Sequence, residues 1–137
     1  MNELINQTDE QIEQTRAIYK SLPSALTSCD CLYCQNYIAC IPSFPEWIQK
    51  LTDHYGLDLT KAAEIMALDS KNDLRQFFAI YHVIGSASPV KYEQQDATVF
   101  IETEEFDFVP DIFPEPIVQV MIELWLPWVV EPLDEQG

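Results

Sequence analysis

The sequence predicts an α+β domain in which N-terminal helices pack on a small, mainly antiparallel sheet of about three strands. Up to about residue 66, apolar residues recur at helical intervals between capping and breaking signals. From Leu74 onward, aromatic and β-branched residues take over in strand-like runs. A chain of 137 residues, 47% of them hydrophobic, holds enough material for one core but not two. Residues 1–137 are therefore expected to form a single domain, with 1–8 and 131–137 loose at its ends.

Thr8 and Gln11 have capping-box spacing, and Ile5, Ile12, Tyr19 and Leu22 follow at helical intervals, which predicts an amphipathic helix over 9–20. Pro23 closes it, and 24–30 reads as a loop. Asp30 is placed to cap a helix from 31 to about 39, which Pro42 stops. Ser43-Phe44-Pro45-Glu46 is a further start signal, after which Trp47, Ile48, Leu51 and Tyr55 share one face and Gly56 ends the helix. Thr60 is expected to cap a short helix over 61–66, followed by a polar turn at 69–73.

Phe77, Phe78, Ile80, Tyr81, Val83 and Ile84 then predict a well-buried central strand. Residues 97–101 continue in this style and break at 102–105. Phe106, Phe108 and Val109 resume it, which fits a bulged or exposed strand or two short ones. Alternation over 117–126 gives the clearest strand of the sequence.

Charge limits the partners. The net charge is −16 with a pI near 4.1, which opposes contact with phosphate backbones, so no direct nucleic-acid binding is expected. Residues 92–137 carry twelve acids and no base, and hence −12 of that charge. This field suits a basic protein partner or simple solubility. The longest apolar candidate, 117–130, is interrupted by Gln119, Glu123 and Pro127, so no membrane association is expected. The polar, acidic start lacks the basic-then-apolar order of an export signal, and the expected location is cytoplasmic.

A reducing compartment makes thiols or metal sites likelier than disulfides, and the four cysteines are closely spaced as Cys29-x-Cys31-x-x-Cys34-x5-Cys40. Cys31 and Cys34 share a helix face, whereas Cys40 falls near the opposite side and reads as core. Cys29, Cys31 and Cys34 are thus candidate zinc ligands, with His82 the expected distant fourth and His54 the alternative imidazole. Three readings stay open in this order: unmetallated thiols, a zinc site, and a redox pair at Cys31 and Cys34.

Gly56, Gly85 and Gly137 are the only glycines and build no phosphate-cradling loop. Glu102, Glu104, Glu105, Asp107 and Asp111 lack the pattern of a calcium loop and read as a solvated strand face. Phe113, Trp125 and Trp128 read as core at strand ends.

Four segments, Cys29-Asp30-Cys31-Leu32-Tyr33-Cys34-Gln35-Asn36, Gly56-Leu57-Asp58-Leu59-Thr60-Lys61-Ala62-Ala63-Glu64, Tyr81-His82-Val83-Ile84-Gly85 and the stretch from Phe113-Pro114-Glu115-Pro116 to Leu126-Pro127-Trp128-Val129, resemble a family of small uncharacterised cytosolic proteins of Gram-positive bacteria with a Cys-x-Cys-x-x-Cys-x-Asn motif. The resemblance implies kinship and a bacterial cytosolic origin without a mechanism. It points to Cys31, Cys34, Asn36, Tyr81 and His82. Phe78-Ala79-Ile80 departs from the family, where a glycine precedes the aromatic-histidine pair.

No complete catalytic constellation is visible, and the expected function is a non-enzymatic binding or accessory domain with a protein partner. The alternatives are a cysteine-centred zinc or thiol-redox protein, and an acidic nucleic-acid mimic acting on a basic partner.

Overall fold

The computed structural model describes residues 4–94 and 97–130. It bears out the α+β class, with three longer helices, a one-turn helix and a five-stranded antiparallel sheet in place of the expected three strands. The helices are α1 (Asp9–Ser21), α2 (Ala25–Ser28), α3 (Leu32–Cys40) and α4 (Glu46–His54). The strands are β1 (Glu64–Lys71), β2 (Leu74–Ile84), β3 (Val90–Gln94), β4 (Ala97–Glu102) and β5 (Ile117–Pro127), in the spatial order β1-β2-β5-β4-β3.

The start of α1 is the expected capping box: Thr8 Oγ1 accepts from Gln11 N–H and Gln11 Oε1 accepts from Thr8 N–H. α3 begins one residue later than expected, with Cys31 rather than Asp30 as its cap. At α4 the cap is Pro45, and no side chain fills that role, so the Ser43/Glu46 capping box does not form. Gly56 ends α4 at φ +82°, and a Cβ there would lie 2.9 Å from the Ile12 carbonyl oxygen of α1.

The helix expected over 61–66 is overturned. Its first part is a 3₁₀ turn (Leu59–Lys61) capped by Asp58, whose carboxylate accepts from Thr60 N–H and Oγ1–H at 2.9 and 2.7 Å. The rest leads into β1, which starts at Glu64 and runs antiparallel to β2 with Glu64 opposite Ile80 and Met66 opposite Phe78. A long partner strand overrides the helix propensity of Ala62, Ala63 and Glu64. Asn72, at φ 58°, makes the turn between the two strands.

β2 and β5, each of eleven residues, pair along their whole length and form the spine of the sheet. β4 and β3 add to the free side of β5. The strand expected at 106–109 is an irregular connection, so the acids from Glu104 to Asp111 lie on a loop rather than a strand face.

β1 stops pairing at Ile80, which leaves the outer backbone groups of His82 and Ile84 without a strand. Side chains replace it. Tyr19 Oη accepts from His82 N–H and donates to its carbonyl, Thr15 Oγ1 accepts from Ile84 N–H, and Gln7 Nε2 donates to the Ile84 carbonyl. Beyond that point Asn6 bridges to Ser86, and Ile5 is buried. Residues 4–8, expected to be loose, are thus part of the sheet's edge, while 131–137 lie outside the described residues.

One face of the sheet carries Phe77, Ala79, Tyr81 and Val83 of β2 with Val118, Val120, Ile122 and Leu124 of β5, all buried against the helical layer. Tyr81 donates to the Leu59 carbonyl at 2.8 Å, so Tyr37 of α3 donates to Tyr81 across 2.6 Å. This pair fixes α3 over the sheet.

A candidate thiol metal centre

The N-terminus of α3 is held from two sides. Asn36, fully buried, donates from Nδ2 to the Pro127 carbonyl at 3.0 Å and accepts at Oδ1 from Val129 N–H at 2.7 Å. Its amide thus ties α3 to the end of β5. Tyr33, between two of the cysteines, packs edge-on against Trp128 at 5.5 Å, and the Arg75 guanidinium lies over the same indole at 5.7 Å.

On this support the chain folds three thiols together. Cys29 closes the single turn of α2, Cys31 caps α3, and Cys34 sits one turn into it, facing inward. Their Sγ atoms all lie within 4.8 Å of one another, and Cys29 and Cys31 approach to 3.2 Å. Tetrahedral zinc with Zn–S bonds of ~2.3 Å separates its sulfurs by ~3.8 Å, so small side-chain rotations bring these three onto one ion. Three cysteines in this position can hold a metal ion such as zinc.

Cys31 and Cys34 differ in acidity. Burial opposes ionisation of Cys31, but the backbone N–H of Cys34, the thiols of Cys29 and Cys34 and the N–H of Tyr33 outweigh it and lower its pKa. Cys34 is pushed far up, first by burial and then by the neighbouring sulfurs of Cys29 and Cys31. Cys31 therefore ionises before Cys34, which keeps its proton until a cation takes its place.

Cys40 is buried, as expected for a core residue, with its Sγ 3.5 Å from the Pro127 carbonyl oxygen. His82 does not join the thiols. It alternates with Tyr81 along β2, so its ring lies on the face of the sheet opposite α3, where Nε2 meets Gln119 Oε1 at 3.2 Å and Phe113 packs at 6.1 Å. Burial lowers its pKa against the opposing effects of Gln119 and Asp107, which keeps the imidazole neutral. His54 is exposed at the end of α4 and packs edge-on against Tyr55. Neither imidazole belongs to the cluster, and no other Asp or Glu among the described residues completes it.

Sequence reasoning missed the residues that support the site. Asn36 was pointed to without a role, and nothing in the spacing reveals that its amide is the clamp to β5. Trp128, read as core, is half-buried and covers Tyr33.

A groove of about 720 Å³ between α1 and α4 is lined by Arg16, Lys20, Lys50, Asp53 and Asp58 and does not reach the thiols. Arg16 is paired with Glu13 at 3.3 Å and with the Asp53 carbonyl at 2.8 Å, and Lys50 with Glu46 at 3.1 Å. Two of its three named cations, Arg16 and Lys50, are thus engaged by neighbouring residues. No helix among the described residues is long and apolar enough to cross a membrane.

No protein-family model, no curated protein and no solved structure matches the chain. The thiol cluster therefore carries the functional reading on its own geometry.

Proposed function

We propose that this chain is a non-enzymatic metal-binding domain in which the thiolates of Cys29, Cys31 and Cys34 hold one zinc ion. The observation that carries this reading is the convergence of three sulfurs within 4.8 Å at the start of a clamped helix. Three protein sulfurs leave the fourth tetrahedral position to water or an external donor. The resemblance of four segments to small cytosolic proteins of Gram-positive bacteria supports a bacterial, cytoplasmic setting, in which thiols stay reduced and available as ligands.

Cobalt(II) titration tests the assignment, because thiolate-to-cobalt charge transfer counts the sulfurs bound. The expected result is saturation at one equivalent with a three-sulfur signature, weakened in Cys29→Ser, Cys31→Ser and Cys34→Ser and unchanged in Cys40→Ser and His82→Gln. Equal loss in Cys40→Ser, or no loss in any variant, would overturn it.

The 3.2 Å approach of Cys29 to Cys31 favours a second reading, a thiol-redox pair at these two positions rather than at Cys31 and Cys34. Diamide treatment of metal-free protein tests it: a Cys29–Cys31 disulfide in the peptide map supports it, and a Cys31–Cys34 linkage or persistent free thiols contradicts it.

A further inference from the structure

The second face of the sheet is unlike a solvated one. Where one face of an antiparallel sheet is packed, the other normally presents polar side chains to water. Here the outward positions include Met66 on β1, Phe78 and the buried Ile80 on β2, Met121 and Trp125 on β5, and Phe100 on β4, interspersed with Gln76, Glu123 and Thr98.

The pairing registers make these positions contiguous. Met66 stands opposite Phe78, Ile80 opposite Met121, and Met121 opposite Phe100, with the Phe78 and Phe100 rings 6.1 Å apart. Met66, Phe78, Phe100, Met121 and Trp125 are half-buried, and none joins the core beneath the helices. The loop after β4 covers only one end of this face, where Phe113 packs near His82 and Asp107 N–H donates to Gln119 Oε1. A contiguous, half-buried apolar row on a sheet face that no helix covers suits a contact site.

Its rim selects the partner. Glu64, Glu93 and Glu102 occupy outward positions around the apolar row and Glu123 lies within it, between Phe78 and Thr98; of the outward bases, Lys91 is held over the Phe100 ring at 5.9 Å and Lys71 stands at the far hairpin end opposite Leu74. The acidic loop from Glu104 to Asp111 extends the same sign beyond the strand ends. Two copies of a chain with net charge −16 would bring like rims together, which opposes a homodimer through this face. An anionic lipid surface is repelled for the same reason.

We propose that the open face of the sheet is a docking surface for a cationic amphipathic helix of a partner protein, whose apolar stripe packs on Phe78, Phe100 and Met121 while its Lys and Arg residues meet the acidic rim. The helix covers the apolar row as a second layer packed on the sheet. The surface is separate from the thiol centre and does not depend on metal.

The test follows the methyl resonances of Met66 and Met121 in the full chain labelled at methionine. The probe is an amphipathic Leu/Lys peptide of about five helical turns, ~18 residues, and the control is its Leu/Glu counterpart. Both methyls are expected to shift saturably with the Leu/Lys peptide and not with the control. Phe78→Ser is expected to weaken binding about tenfold, as loss of a central anchor does. Glu64→Lys combined with Glu93→Lys leaves the apolar row intact and is expected to weaken binding and flatten its salt dependence.

Unmoved methyls, equal binding of the Leu/Glu peptide, or insensitivity to the double charge reversal would overturn the proposal. A dimer by sedimentation that Phe78→Ser splits would assign the face to a second copy instead. Shifts induced by anionic phospholipid vesicles and not by the peptide would assign it to a membrane.

Discussion

The Tyr19 hydroxyl holds both polar groups of one peptide residue: it accepts from His82 N–H at 3.0 Å and donates to the His82 carbonyl at 2.7 Å. A helix side chain thus stands in for the strand that β2 lacks beyond Ile80. Tyr19→Phe is expected to leave two buried backbone groups unpaired and to cost about 2–3 kcal/mol. Urea unfolding reads the cost, and faster hydrogen exchange at the His82 amide locates it.

His82 gives the fold a pH dependence. Burial lowers its folded-state pKa below the ordinary value of 6.5, so the unfolded chain binds the proton more readily than the folded one. Its contribution to stability is full above ~6.5, declines as the pH falls below that value, and is lost through the lowered folded pKa. Urea unfolding of His82→Gln is expected to show a shallower loss between about pH 6.5 and 5 than the parent chain.

Asn36 is a clamp that needs both ends of its amide. Asn36→Asp keeps the acceptor for Val129 N–H and loses the donor to the Pro127 carbonyl, placing a carboxylate against a carbonyl oxygen. A destabilisation of about 2–3 kcal/mol is expected, and Asn36→Leu is expected to lose a similar amount by stranding both partners. Thermal unfolding of the two variants checks this.

Metal removal should lower stability by mass action. With zinc at about 100 times its dissociation constant, the chain gains about 2.7 kcal/mol over the chelated form. Melting curves with zinc and with excess chelator measure the gain. Cys34→Ser is expected to abolish it and Cys40→Ser to preserve it.

The helices at 9–21 and 46–54 and the strand β5 were legible from their own periods, and β2 from its run of aromatic and β-branched residues ending at Gly85. β1 was not, since Ala62, Ala63 and Glu64 favour a helix locally and only pairing with β2 makes them extended. β3 offered a single apolar alternation, Val90 and Tyr92, among Lys91, Glu93 and Gln94. The thiol group of Cys29, Cys31 and Cys34 followed from spacing alone, because the ligands are close in sequence. His82 shows the limit of such reading: which face of a strand a side chain takes depends on a sheet that the sequence does not display.

Metal content of untagged protein, isolated without chelator and measured together with its free thiols, tests the central claim most directly. The account predicts one zinc per chain, lost in Cys34→Ser but kept in Cys40→Ser. A chain free of metal as isolated, which also fails to take up zinc or cobalt with all four thiols reduced, would contradict it.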